Sequence, residues 1–98
     1  MYVVVNRITV EAGHADEFAA AFAESMSHLE GVPGLRRSTL LAPASPDGPY
    51  MSTMEFDTRE HFQSWVGSVA FTRAHAAVVD SQVITANTVE TYDVHTQV

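Results

Sequence analysis

Three residues of this chain are of a type and in a setting that could carry chemistry: Asn6, Trp65 and His75. The stretch "FQSWVGSVAFTRAHA", residues 62–76, holds the single Trp and, ten residues after it, His75. His75 follows Phe71 by four residues, so the two share one helix face. A neutral imidazole there can donate to a backbone carbonyl and stay inert, act as a base, or ligate a metal through one nitrogen. Zinc takes about four protein ligands in a structural site, and His14, His28, His61 and His95 show no ligand spacing. Haem needs only one axial His, because the porphyrin supplies the other nitrogens. Trp65 is a large apolar body with one N–H, and a lone Trp in a small domain is ordinarily a core anchor. Asn6 shares a strand face with Tyr2, Val4, Ile8 and Val10. An unpaired buried amide costs about 1–3 kcal/mol, so Asn6 needs a partner, which in the plain reading is a backbone group.

Other chemistries find no support. There is no G-x-G-x-x-G or G-x-x-x-x-G-K cradle for a nucleotide. Ser25, Ser52, Ser64 and Ser68 lack a nucleophile elbow. The chain has no Cys, which excludes disulfides, thiolate metal sites and a Cys nucleophile. Its net charge is −7 and its five cations are all Arg. Nucleic acid and anionic membranes repel such a surface, so neither is expected as a partner. "MYVVVNRITV" lacks the basic start and small-residue cleavage site of a signal peptide and reads as a strand. No apolar run approaches the roughly 20 residues of a membrane helix. A soluble, cytoplasmic protein with a single domain over residues 1–98 is the expectation.

The elements that must position the three residues follow from periodicity. Tyr2 to Val10 alternates as a strand, with Val3, Val5, Arg7 and Thr9 on the second face. Asp16 and Glu17 favour a helix start, and Phe18, Phe22, Met26 and Leu29 form a stripe up to about Glu30. "GVPG" stops that helix. Strands are expected over Leu35–Ala42 and Tyr50–Phe56, joined by the turn-rich "PASPDGP". Asp57 or Thr58 caps a helix whose inner face is Phe62, Trp65 and Val66. Gly67-Ser68 interrupts it, and a short helix follows with Phe71, Ala74, His75 and Val78 in phase. A last strand spans about Val83–Val94. The order β-α-β-β-α-β predicts a ferredoxin-like α+β fold, an antiparallel sheet with helices on one face. The other face, with Val3, Val5, Met51 and Thr53, needs a cover, and a second copy about a two-fold axis is the simplest one.

"VVNRITV", "GVPGL", "FDTREHFQSW" and "SVAFTRAHA" together resemble the antibiotic biosynthesis monooxygenase superfamily, a dimeric α/β barrel, and within it the IsdG-type haem-degrading monooxygenases. The resemblance covers almost the whole chain. The narrow part is an Asn in the first strand followed by Arg, a Trp closing "F-x-x-W" and a His closing "F-x-x-x-H"; these fall on Asn6, Trp65 and His75. It implies a homodimer in which haem is both substrate and cofactor, opened with O2 and external electrons from a donor reductase. It further implies that His75 is the axial ligand of the haem iron, that Trp65 presses the porphyrin out of plane, and that Asn6 aims its amide N–H at the distal side. Phe71 and Phe22 would contact the ring, although Phe22 and Met26 read more simply as core. Arg73, two residues before His75, is by proximity the candidate to meet a propionate. Phe56 stands where many relatives carry Trp. The same three residues would also serve a cofactor-independent monooxygenase oxidising a phenol or quinol, with His75 as base, or a haem- or small-ligand-binding dimer without turnover.

Overall fold

The computed structural model describes residues 1–81 and 83–98, and the side chains of all of these except 77–81. Val78, at the end of the expected stripe, therefore lies outside the described side chains. The elements are β1 (Tyr2–Val10), α1 (Ala15–Met26), a 3-10 turn (Ser27–Leu29), β2 (Leu35–Leu41), β3 (Tyr50–Phe56), α2 (Arg59–Val66), α3 (Val69–Ser81) and β4 (Ile84–Asp93). The four strands form one antiparallel sheet in the order β2-β3-β1-β4, with the helices on one face. This is the expected ferredoxin-like α+β fold. Central β1 pairs Asn6 with Ser52 of β3 and with Val89 of β4.

The first helix ends earlier than its apolar stripe suggests. After Met26 the chain tightens into the 3-10 turn, Glu30 is extended, and Gly31 and Gly34 take positive φ. Gly34 cannot carry a side chain for a second reason: a Cβ there would lie 2.2 Å from Cγ of His61 on α2. The "GVPG" loop is thereby pressed against α2, which fixes where that helix lies. At the start of α2 the cap is Thr58, whose Oγ1 accepts from the backbone N–H of His61 at 3.1 Å. Asp57 instead accepts from Arg36 Nε at 2.5 Å, which holds its carboxyl below the ordinary range.

Two apolar clusters fill the space between helices and sheet. One joins Val4, Met54, Phe56 and Trp65; the other joins Ile8, Phe18 and Val83. Both draw on the same face of β1, and Asn6 stands between their strand residues Val4 and Ile8. On the opposite face, Val3 and Val5 lie beside Glu55 and Thr53 in register, and Leu41 beside Met51. That face also carries ion pairs: Arg7 to Glu90 at 2.9 Å and Arg37 to Glu55 at 3.6 Å.

Candidate functional site

The gap between the two clusters is a cavity of about 580 Å3, within the usual range for a small-molecule site. Its floor is the sheet, from which Asn6, Ser38, Ser52 and Asn87 face the space. Its walls come from the helices: Phe22, Ser25 and Met26 on α1, Trp65 and Val66 on α2, and Phe71, Ala74 and His75 on α3. Asn6, Phe22, Trp65, Phe71 and His75 thus meet in one place.

The break between α2 and α3 sets the angle between their rings. Ser68 Oγ donates to the Trp65 carbonyl at 2.5 Å and accepts from the Phe71 N–H at 3.2 Å, so it caps α3 while holding the end of α2. Trp65 and Phe71 meet edge to face, with centroids 4.9 Å apart. Phe71 and His75 lie nearly over one another at 3.9 Å, as residues four apart on a helix do. His75 is not buried, as its apolar face suggested, but exposed where the cavity opens. Its Nδ1 lies 3.1 Å from the Phe71 carbonyl. A carbonyl only accepts, so Nδ1 carries the proton and the lone pair of neutral His75 sits on Nε2. That is the tautomer a metal ligand needs.

Trp65 is 7% exposed, and its Nε1–H is buried without a hydrogen-bond partner. Fully buried Phe56 packs against it at 5.9 Å. Asn6 does find a partner, though not a backbone group: its Oδ1 accepts from Asn87 Nδ2 at 3.3 Å. The Asn6 carbonyl is thereby turned toward β4, and its own NH2 is the donor left for the cavity.

Three placements differ from the expectations. Phe22 and Met26 line the cavity, and Phe22 also packs on the Phe18 ring with centroids 5.6 Å apart, so it serves wall and core at once. Arg73 is exposed and does not line it. The reason is helical geometry: Arg73 is two residues from both Phe71 and His75, and a two-residue step points to the other side of a helix. Asn87 was not anticipated. Its signal was in β4, where Asn87 and Val89 alternate onto one face, but only strand register shows that this face meets Asn6. Among the described residues, no three His, Asp or Glu side chains gather as a metal site, and no helix is long and apolar enough to cross a membrane.

An antiparallel sheet, helices on one face and a ring-lined cavity between them define a ferredoxin-like α+β domain with a small-molecule site. Residues 1–77 match the family described as antibiotic biosynthesis monooxygenase, and the chain belongs to that family. It is an oxidoreductase of the monooxygenase class. A haem oxygenase (staphylobilin-producing) of Staphylococcus saprophyticus is 35% identical over 77 residues, 76% of this chain and 73% of the relative. One from Staphylococcus epidermidis is 29% identical, over 89% of this chain and 92% of the relative. Among solved structures, the haem degrader MhuD of Mycobacterium tuberculosis, with two haems bound in its active site, superimposes with a TM-score of 0.82 at 28% identity. That match covers 100% of this chain and 99% of MhuD. SnoaB, a cofactor-independent oxygenase of Streptomyces nogalater, shares the fold at a TM-score of 0.81 and 23% identity, over 98% of this chain and 94% of its own.

Proposed function

We propose that this protein is a haem-degrading monooxygenase that takes haem as its substrate. The observation that carries the reading is the tautomer of His75, which leaves Nε2 without a partner among the described residues, at the opening of a cavity walled by aromatic rings. One axial imidazole is sufficient for haem. The names of the staphylococcal relatives and of MhuD support the same substrate.

In this reading Nε2 of His75 would hold the haem iron, and Phe71 beneath the imidazole keeps the ring in place. Hydrogen bonding of Nδ1–H to the Phe71 carbonyl fixes the ring's orientation and its tautomer. Phe22, Met26 and Phe71 offer apolar contact to the flat ring. Trp65, held from behind by Phe56 and by the Ser68 link, would be the rigid wall the ring meets. Asn6, oriented by Asn87, presents its NH2 to the cavity as the donor that steers oxygen. Bound haem supplies the iron that activates O2 and the ring carbon that is oxidised. The electrons come from an external reductant, in the cell a donor reductase. The sheet face bearing Val3, Val5, Leu41 and Met51 is the surface for a second copy, giving a homodimer with one cavity per protomer.

Titration of the apo-protein with haemin, followed by ascorbate in air with catalase present, tests the reading. The expected result is a saturable Soret band that then decays as iron is released. A stable band would make the protein a carrier. No band would overturn the haem reading and leave quinols as the substrates to screen.

A further inference from the structure

The reading of haem as substrate raises a charge problem that the cavity itself resolves. Haem carries two carboxylates, and the polar groups of the cavity wall are Asn6, Ser25, Ser38, Ser52, Asn87 and His75, none of them a fixed cation. All five arginines lie elsewhere. Arg7, Arg36 and Arg37 are paired with Glu90, Asp57 and Glu55, while Arg59 and Arg73 are exposed and off the wall. Residues 77–82 contain neither Lys, Arg nor His, so the sequence offers no further cation there. A carboxylate buried without a partner is strongly disfavoured. The cavity also has a polarity of depth. Ile8, Met54 and Trp65 are buried at its inner end, while Val66, Asn87 and Val89 are exposed at its opening.

We infer that, given haem as the substrate, this site reads the ring and the iron but not the acid groups, which stay in water at the opening. Its substrate class is iron porphyrins whatever the charge of their peripheral carboxyl arms. The net charge of −7 adds a sign to this. A dianionic porphyrin is repelled by such a chain, and salt screens the repulsion. Affinity for haemin therefore holds or rises as salt is added, the reverse of an arginine clamp.

The test is a Soret titration of the full chain with two probes, haemin and the iron porphyrin in which both propionates are converted to neutral amides. Each is titrated from about 0.01 M to about 1 M salt, a range that shortens the screening length from about 30 Å to about 3 Å. The expected result is a diamide affinity within about tenfold of that of haemin or tighter, with haemin binding no weaker at high salt. A diamide that binds more than about tenfold weaker, while haemin binds well, overturns the inference and leaves the haem reading standing, because a desolvated Arg–carboxylate pair is worth at least that much. Haemin binding that weakens steadily with salt, or is lost in Arg59→Gln or Arg73→Gln, overturns it as well. A protein that gives no Soret shift with either probe overturns the haem reading itself.

Discussion

The two apolar clusters rest on one face of the same strand and both border the cavity, yet only one reaches it with groups that can do chemistry. Ile8, Phe18 and Val83 are 1%, 0% and 3% exposed, and the Tyr50 ring packs on Phe18 at 4.9 Å. That end gives the cavity only apolar wall, from Ile8, Phe22 and Ile84. Around Trp65 the rings continue outward through Phe71 to His75, and the cluster ends at a cavity wall. The residue between the two is Asn6, whose amide cannot join either without a partner. The difference teaches that one sheet face can hold two jobs: the Phe18 end supplies stability and plain wall, and the Trp65 end supplies the rings that lead to the imidazole. Substituting each end should separate the two jobs.

The largest contrast comes from Phe18→Ala against His75→Ala. Truncating a wholly buried Phe costs about 3–5 kcal/mol, a large part of the roughly 5–15 kcal/mol that holds a domain folded. Denaturant unfolding of Phe18→Ala should show that loss. His75 is exposed, so His75→Ala should move stability by no more than about 0.5 kcal/mol while removing the axial ligand and all turnover. A normal haem spectrum in His75→Ala would end its role as ligand, and a Phe18→Ala protein of full stability would end the division between the clusters.

Next in size is the pair that parts the clusters. Asn6→Ala should bind haem with near-normal affinity and lose degradation, read as Soret decay under ascorbate. Asn87→Asp probes the same amide from outside. A carboxylate only accepts, so Asn6 must turn its NH2 toward residue 87 and its carbonyl to the cavity. Turnover should fall toward that of Asn6→Ala, and the double variant should be no worse than Asn6→Ala alone. In the apo-protein the side-chain amide resonances of Asn6 should shift in Asn87→Asp. Additive losses would show that Asn87 acts independently of Asn6.

How far these roles were legible beforehand depends on the distance over which each is encoded. Alternation from Tyr2 to Val10, the stripe from Phe18 to Met26 and the Gly67-Ser68 break are local patterns, and each produced its element. The resemblance carried by Asn6, Trp65 and His75 pointed to residues that meet at one cavity. Helical spacing says which residues share a face, however, and not whether another element fills the space before it. For that reason Phe22 and Met26 read more simply as core, which Phe22 in part is, and His75 as buried. Arg73 was chosen by nearness in sequence, although a two-residue step already argued against it. Asn87 could be found only through the register of β1 with β4, which depends on contacts more than eighty residues apart in the chain.

Trp65→Phe tests whether Trp65 serves the cavity more than the core. The substitution removes an unpaired buried N–H, whose presence costs about 1–3 kcal/mol, and leaves a small void that costs a similar amount. Stability should therefore change little, while haem turns over more slowly for want of the larger ring. An ordinary core anchor would instead lose stability and leave the rate per folded molecule unchanged.

The smallest effect belongs to the sheet face away from both clusters. Glu90 accepts from Tyr92 Oη–H at 2.7 Å and from Arg7 Nε at 2.9 Å, and these bonds hold its carboxyl below the ordinary value. A carboxyl whose pKa is lowered by folding favours the fold above its unfolded pKa, and that contribution disappears as pH falls through the folded pKa. Glu90→Gln should thus melt slightly below the parent at neutral pH, and the gap should close in acid below the usual carboxylate range. The group is exposed, so the gap is small and shrinks with salt. Haem affinity should not move, because the pair lies across the sheet from the cavity. A melting gap independent of pH would show that the substitution disturbs something other than charge. A changed Soret titration would show that the two sheet faces are not as separate as their side chains make them.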